Sequence, residues 1–141
     1  PEMHPQADSF DLDIKRFCDK ANAGANAALT QFFFNPDAYF YFVERIQKEG
    51  VNIPVAPGIM PITNASNLIR FADGTGAEIP RWIRKQLATY GDDTASIKAF
   101  GHEVIVKLCE RLIAGGAPSL HFYTMNTTDP TRQLVLDLGL A

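Results

Sequence analysis

The residues able to do chemistry in this chain are few, and most are neutral. The run Ala25-Asn-Ala-Ala-Leu-Thr-Gln ends in the amide of Gln31, and three phenylalanines, Phe32 to Phe34, follow it. An amide both donates and accepts hydrogen bonds, so Gln31 at a strand end can satisfy nearby backbone groups or grip the edge of a flat heteroaromatic ligand. Spacing alone leaves both readings open. Asn64 and Asn67 follow a second apolar run, and Tyr123, Thr124 and Asn126 follow a third. His4 stands in the opening loop. Asp13 and Lys20, seven residues apart, project from one side of a helix. Lys20 and Arg16 could meet a phosphate at the edge of such a site, or simply solvate the helix face.

Other chemistries find little support. The histidines His4, His102 and His121 have no metal-ligand spacing; His102 reads as structural and His121 as a hydrogen-bonded core residue. Cys18 and Cys109 lack a histidine close in sequence, which leaves a nucleophile unsupported. There is no dinucleotide or phosphate-loop glycine motif. Asp73-Gly74-Thr75-Gly76 follows a helix rather than a strand and reads as a turn.

These side chains need a scaffold, and the apolar periodicity supplies one. Phe10, Ile14, Phe17 and Ala21 recur at helical spacing over 10–22. A strand is expected over 27–31. Asn35-Pro36 is a helix-start signal for 36–49. A second strand is expected over Ile53–Ala56, ending in a turn at Pro57-Gly58. A helix over 64–73 should bury Leu68, Ile69 and Ala72, with Gly74 and Gly76 ending it. A helix from Pro80 to Tyr90 has Trp82, Ile83 and Leu87 as its apolar positions. The longest helix spans 94–114, capped by Asp93. A third strand, Ser119–Tyr123, and a helix from Asp129 to Leu138 close the chain. Strands alternating with helices imply an α/β fold with a parallel sheet and covering helices. Three strands cannot close a barrel, so the sheet is either a small open one or one arc of a barrel.

With 141 residues, 46% hydrophobic and 21% charged, the chain fits one globular unit. A formal net charge of -3 gives no reason to expect nucleic acid. No apolar run reaches the ~18 residues of a membrane span. Two cysteines without metal or redox spacing suit reduced thiols in the cytoplasm. Opening at Pro1 without a methionine, the sequence is expected to be a piece of a longer chain.

Several runs are specific enough to carry a likeness. They are Pro1-Glu2-Met3-His4-Pro5, Lys20-Ala21-Asn22-Ala23-Gly24-Ala25-Asn26, Leu29-Thr30-Gln31-Phe32-Phe33-Phe34, Pro57-Gly58-Ile59-Met60-Pro61-Ile62, Ile79-Pro80, and His121-Phe122-Tyr123-Thr124-Met125-Asn126. In this order, across the whole chain, they resemble the methylenetetrahydrofolate reductase family. The resemblance implies a (β/α)8 TIM barrel carrying FAD, which passes a hydride from NADH or NADPH to 5,10-methylenetetrahydrofolate and yields 5-methyltetrahydrofolate. It also implies that residues 1–141 are a single partial domain, the second half of that barrel, with the first half as its partner and a homo-oligomer when complete.

By the same resemblance, His4, Ala7, Asp13, Arg16 and Lys20 are flavin contacts, Arg16 departing from the family's residue type. Gln31, Asn67 and Phe71 are substrate contacts: Gln31 hydrogen-bonds the folate pterin and also lies near the nicotinamide site, Phe71 packs against the folate or the nicotinamide dinucleotide, and Asn67 is a folate contact with a shorter amide than some relatives carry. Thr127 stands where some relatives have a substrate-reaching arginine. The family's catalytic glutamate would lie in the first half, and Glu2 is not that acid, so this piece would be inactive alone. The alternative is a non-catalytic α/β binding or interaction module derived from the same barrel.

Overall fold

Four of the six helices begin where a side chain accepts from one of the first free N–H groups. In the computed structural model, which describes residues 1–141, α1 (Phe10–Asn22) is capped by Ser9, whose hydroxyl accepts from the N–H of Leu12 at 3.2 Å. Helix α2 (Pro36–Lys48) is capped by Asn35, α3 (Ala65–Thr75) by Asn64 and α5 (Thr94–Ala114) by Asp93. Helices α4 (Arg81–Tyr90) and α6 (Asp129–Asp137) start without a side-chain cap. Three parallel strands, β1 (Ala28–Phe32), β2 (Val55–Ile59) and β3 (His121–Phe122), lie side by side in chain order. The chain is therefore an α/β fold with a parallel sheet and six helices.

The helices seal the sheet through apolar stripes. Ile14, Cys18 and Ala21 of α1, Tyr39 and Ile46 of α2, and Ile97, Val104, Ile105, Leu108 and Leu112 of α5 are all buried. Tyr39 stacks on Phe33, with ring planes 3° apart, and its hydroxyl donates to the carbonyl of Val55 at 2.8 Å. Helix α2 is thereby fastened to β2. Gly101 lets α5 touch the 61–64 segment: a Cβ there would overlap the Ile62 carbonyl and lie 2.6 Å from Ile62 Cβ.

The structure corrects several expectations. Pro57-Gly58 is not a turn; both residues lie inside β2, every residue of which is buried. Gly74 does not end α3, which runs on to Gly76, where φ is +72°. Ile69 and Trp82 point outward, 37% and 57% exposed. The helical period alone assigns a stripe, and only the neighbouring element decides its edge. His121 is half-buried and its ring makes no hydrogen bond within the chain; the ring meets Tyr123 edge-on, with centroids 5.0 Å apart. One side of the strand layer stays open on β1, where Leu29 is 59% exposed, whereas Phe122 on β3 is only half-exposed.

Candidate functional site

The site starts from an irregularity in the sheet. Leu29 pairs with Ala56 and Phe32 with Gly58, so Thr30 and Gln31 together face the single residue Pro57. This is a β-bulge, and it falls where the proline has no N–H to offer the ladder. Hydroxyl groups replace the missing ladder bonds. The N–H of Gly58 donates to Thr30 Oγ1 at 2.9 Å, and that hydroxyl donates to the Gln31 carbonyl at 2.8 Å. The Thr30 carbonyl accepts from the Tyr123 hydroxyl at 2.9 Å, across the whole width of the sheet. Gly58 makes room for this: a Cβ there would strike the Thr30 carbonyl and approach Tyr123 Cε2 to 2.7 Å.

Gln31 emerges exposed from this bulge. Its Oε1 accepts from the N–H of Phe32 at 3.1 Å, and its amide nitrogen has no partner within the chain. Beside it lies a cavity of about 570 Å³, walled by residues 1–6, by Asp13, Phe17 and Lys20 of α1, by β1, and by residues 74–77.

The opening loop is tied down from several sides. Asp13 Oδ2 accepts from the N–H of His4 at 2.8 Å, and the His4 carbonyl accepts from the N–H of Ala7 at 2.9 Å. The Nδ1 atom of His4 accepts from the N–H of Gln6 at 3.1 Å, which leaves Nε2 to carry the proton of the neutral ring. Glu2 Oε2 accepts from the N–H of Glu78 at 2.9 Å. Burial pushes the Glu2 carboxyl up, against the opposing pull of that hydrogen bond.

Of the eight residues expected at the site, His4, Asp13, Lys20 and Gln31 line this one cavity. Lys20 forms no ion pair, so its charge is available. Ala7, Arg16, Asn67 and Phe71 lie outside the cavity walls. Arg16 is exposed on α1 without an ion pair. Asn67 belongs to the first turn of α3, its N–H donating to Asn64 Oδ1 at 2.9 Å, and the Arg70 guanidinium sits 5.3 Å from the Phe71 ring centroid.

The β3–α6 connection is shaped by Met125 and Asn126, both left-handed at φ +51° and +60°. Thr127 closes it by donating from its N–H and its hydroxyl to the Thr124 carbonyl, at 3.0 and 2.8 Å. A second hollow, about 610 Å³, lies between α5, α6 and the 61–64 segment and is bordered by Thr127, Lys98 and His102. The thiols offer no nucleophile: both are buried, and burial raises Cys18 and pushes Cys109 up to about 12.

The partners of Gln31 escaped sequence reading. Thr30 and Tyr123 are 93 residues apart, and no local pattern joins them. A signal for the bulge did exist, since glycine and proline inside an apolar strand mark an irregular ladder or a close approach.

Comparison with known proteins adds an independent line. A family model described as methylenetetrahydrofolate reductase matches residues 1–139. The chain is 36% identical over 140 residues to the 5,10-methylenetetrahydrofolate reductase of Buchnera aphidicola subsp. Acyrthosiphon pisum, covering 99% of this chain and 48% of that protein. It is 34% identical to that of Escherichia coli K12, covering 99% and 47%. Against methylenetetrahydrofolate reductase 1 of Schizosaccharomyces pombe the identity is 37%, covering 99% and 23%. The chain thus spans about half the length of the bacterial relatives it matches, and less of the yeast one. Among solved structures, an uncharacterized protein from Clostridium thermocellum that binds two copies of 5-methyl-5,6,7,8-tetrahydrofolic acid superposes with a TM-score of 0.59 at 18% identity, covering 93% of this chain and 48% of that one. At that identity the likeness shows a shared fold.

Proposed function

The chain belongs to the methylenetetrahydrofolate reductase family, and from that premise we propose that residues 1–141 form the second half of a flavin-dependent (β/α)8 barrel reducing 5,10-methylenetetrahydrofolate to 5-methyltetrahydrofolate with NADH or NADPH. The observation that carries this reading is the meeting of Gln31, His4, Asp13 and Lys20 on one cavity beside the exposed strand β1. The open side of the strand layer at Leu29 is where the interior of a completed barrel would lie.

The donor set suits FAD. Lys20 brings an unpaired cation to the cavity for a phosphate, and Arg16 lies one turn earlier on the same exposed helix. Asp13 holds the loop of residues 1–6 through the His4 N–H, keeping His4 on the cavity wall, and the Ala7 N–H donates to the His4 carbonyl just outside it. When bound, FAD supplies the hydride relay between nicotinamide and folate. Gln31 offers a free amide N–H and an accepting oxygen, the pair that the edge of a pterin requires. Asn67 and Phe71 would complete the folate pocket from α3. The proton donor that opens the folate ring is assigned to the other half of the barrel, since Glu2 is occupied in tying residues 1–6 to Glu78.

Purified alone, the chain should hold little FAD and show no folate-dependent NAD(P)H oxidation. A positioned acid typically contributes ~10²–10⁴-fold, and that acid lies outside this piece. Co-expression with the first half of a relative's barrel should restore flavin absorbance and turnover. Stoichiometric FAD and steady turnover by the chain alone would overturn the half-barrel reading.

A further inference from the structure

Thr30 is the one polar residue among the buried side chains, 6% exposed. We propose that Thr30 is a positioning residue for Gln31, acting through the bulge that its hydroxyl and carbonyl hold in place; this rests on the reading of Gln31 as a folate contact.

The hydrogen bonds at the bulge account for one another. Opposite Pro57, β1 carries one residue too many, so the ladder cannot pair both Thr30 and Gln31. Unpaired backbone groups in a buried layer are costly, and the Gly58 N–H, the Gln31 carbonyl and the Thr30 carbonyl each meet a hydroxyl here. The Thr30 hydroxyl accepts from Gly58 and donates to the Gln31 carbonyl, using its single proton. The Thr30 carbonyl accepts from the hydroxyl of Tyr123, the residue that follows β3. Gly58 of β2 and Tyr123 just past β3 therefore hold Thr30, and Thr30 holds the carbonyl of Gln31.

A valine could fill the same volume but not the same role. It would leave the Gly58 N–H and the Gln31 carbonyl without partners, and the bulge could then relax. A bulge fixes the direction of the residues it displaces, and a small misplacement of a binding group carries a large cost. The lock thus sets where the Gln31 amide points, while making no ligand contact of its own through the Thr30 side chain.

The test is a mutant cycle in the complete enzyme, read by equilibrium binding of 5-methyltetrahydrofolate and by the rate of flavin reoxidation by methylenetetrahydrofolate. Thr30→Val should weaken both by about tenfold, the scale of losing a buried hydrogen bond. Thr30→Ser, which keeps the hydroxyl, should recover most of the loss. In a Gln31→Ala background, Thr30→Val should add almost nothing, because the group it positions is gone. A fully additive double variant would assign Thr30 a purely structural role and overturn the proposal. If Gln31→Ala alone leaves folate binding unchanged, the reading of Gln31 itself fails and the positioning role falls with it. Should Thr30→Val not fold, Tyr123→Phe, which removes only the hydroxyl on the Thr30 carbonyl, gives the same cycle with the same two outcomes.

Discussion

The long helix α5 and the β1–β2 bulge solve opposite problems. Helix α5 is built from a repeat: Ile97, Val104, Ile105, Leu108 and Leu112 recur on one face and are all buried, while Lys107 and Glu103 pair one turn apart on the other. Its order follows from local spacing, and many side chains share its stabilisation. At the bulge, Thr30 of β1, Gly58 of β2 and Tyr123 just past β3 hold one another, and no repeat announces them. The helix tolerates change by degrees. The bulge depends on single atoms, since each hydroxyl and the bare Cα of Gly58 has no substitute nearby.

Two substitutions test that contrast. In α5, Leu112→Ala removes a side chain that is 0% exposed and should cost about 2–5 kcal/mol by leaving a cavity. Thermal unfolding should show a lower midpoint, with the remaining folded protein keeping its folate affinity. At the bulge, Gly58→Ala adds a single carbon against the Thr30 carbonyl and the Tyr123 ring. Overpacking of this kind costs about 1–3 kcal/mol. Its effect on folate binding should nonetheless exceed that of Leu112→Ala, because the added carbon pushes on the lock itself. If Gly58→Ala lowered stability and left folate binding intact, the bulge would not control the site.

The same contrast explains what could be read from the sequence. The bounds of α1 and α5 are legible because apolar spacing and capping are local signals: the spacing alone delimits α1, and Asp93 accepts from the N–H of Ser96 at the start of α5. The parallel order of the strands followed from their alternation with helices. Strand β2 was displaced, because Pro57-Gly58 reads as a turn until a neighbouring bulge is known to excuse the missing N–H. His4, Asp13, Lys20 and Gln31 stand out by residue type and position, motif likeness adds their roles, and the structure gathers them on one cavity. Thr30 and Tyr123 could not be paired in advance, since only the folded sheet brings them to 2.9 Å. Trp82 and Ile69 were misplaced for the reverse reason: a helical stripe is wider than the contact that covers it.

The smallest expected effect lies at the α5–α6 contact, where His102 Nε2 meets Asp137 Oδ2 at 2.7 Å. The hydrogen bond from His102, and then that from Gln133, hold the Asp137 carboxyl below its ordinary value. A carboxyl held low in the folded state adds stability above its unfolded pKa of about 4, and loses it as the pH falls through the folded value. Both partners are partly exposed, so solvent and salt screen the pair and the gain is small. Asp137→Asn should therefore lower the melting temperature slightly at neutral pH, less than either substitution above. The difference from the parent should shrink as the pH falls from about 4 through the lower folded value, beneath which the parent carboxyl is protonated as well. Folate affinity should not move, because Asp137 lies on the helical side of this contrast, outside the walls of the cavity that holds Gln31. A difference that persisted undiminished at low pH would show that the loss comes from packing of α6 rather than from the charged hydrogen bond.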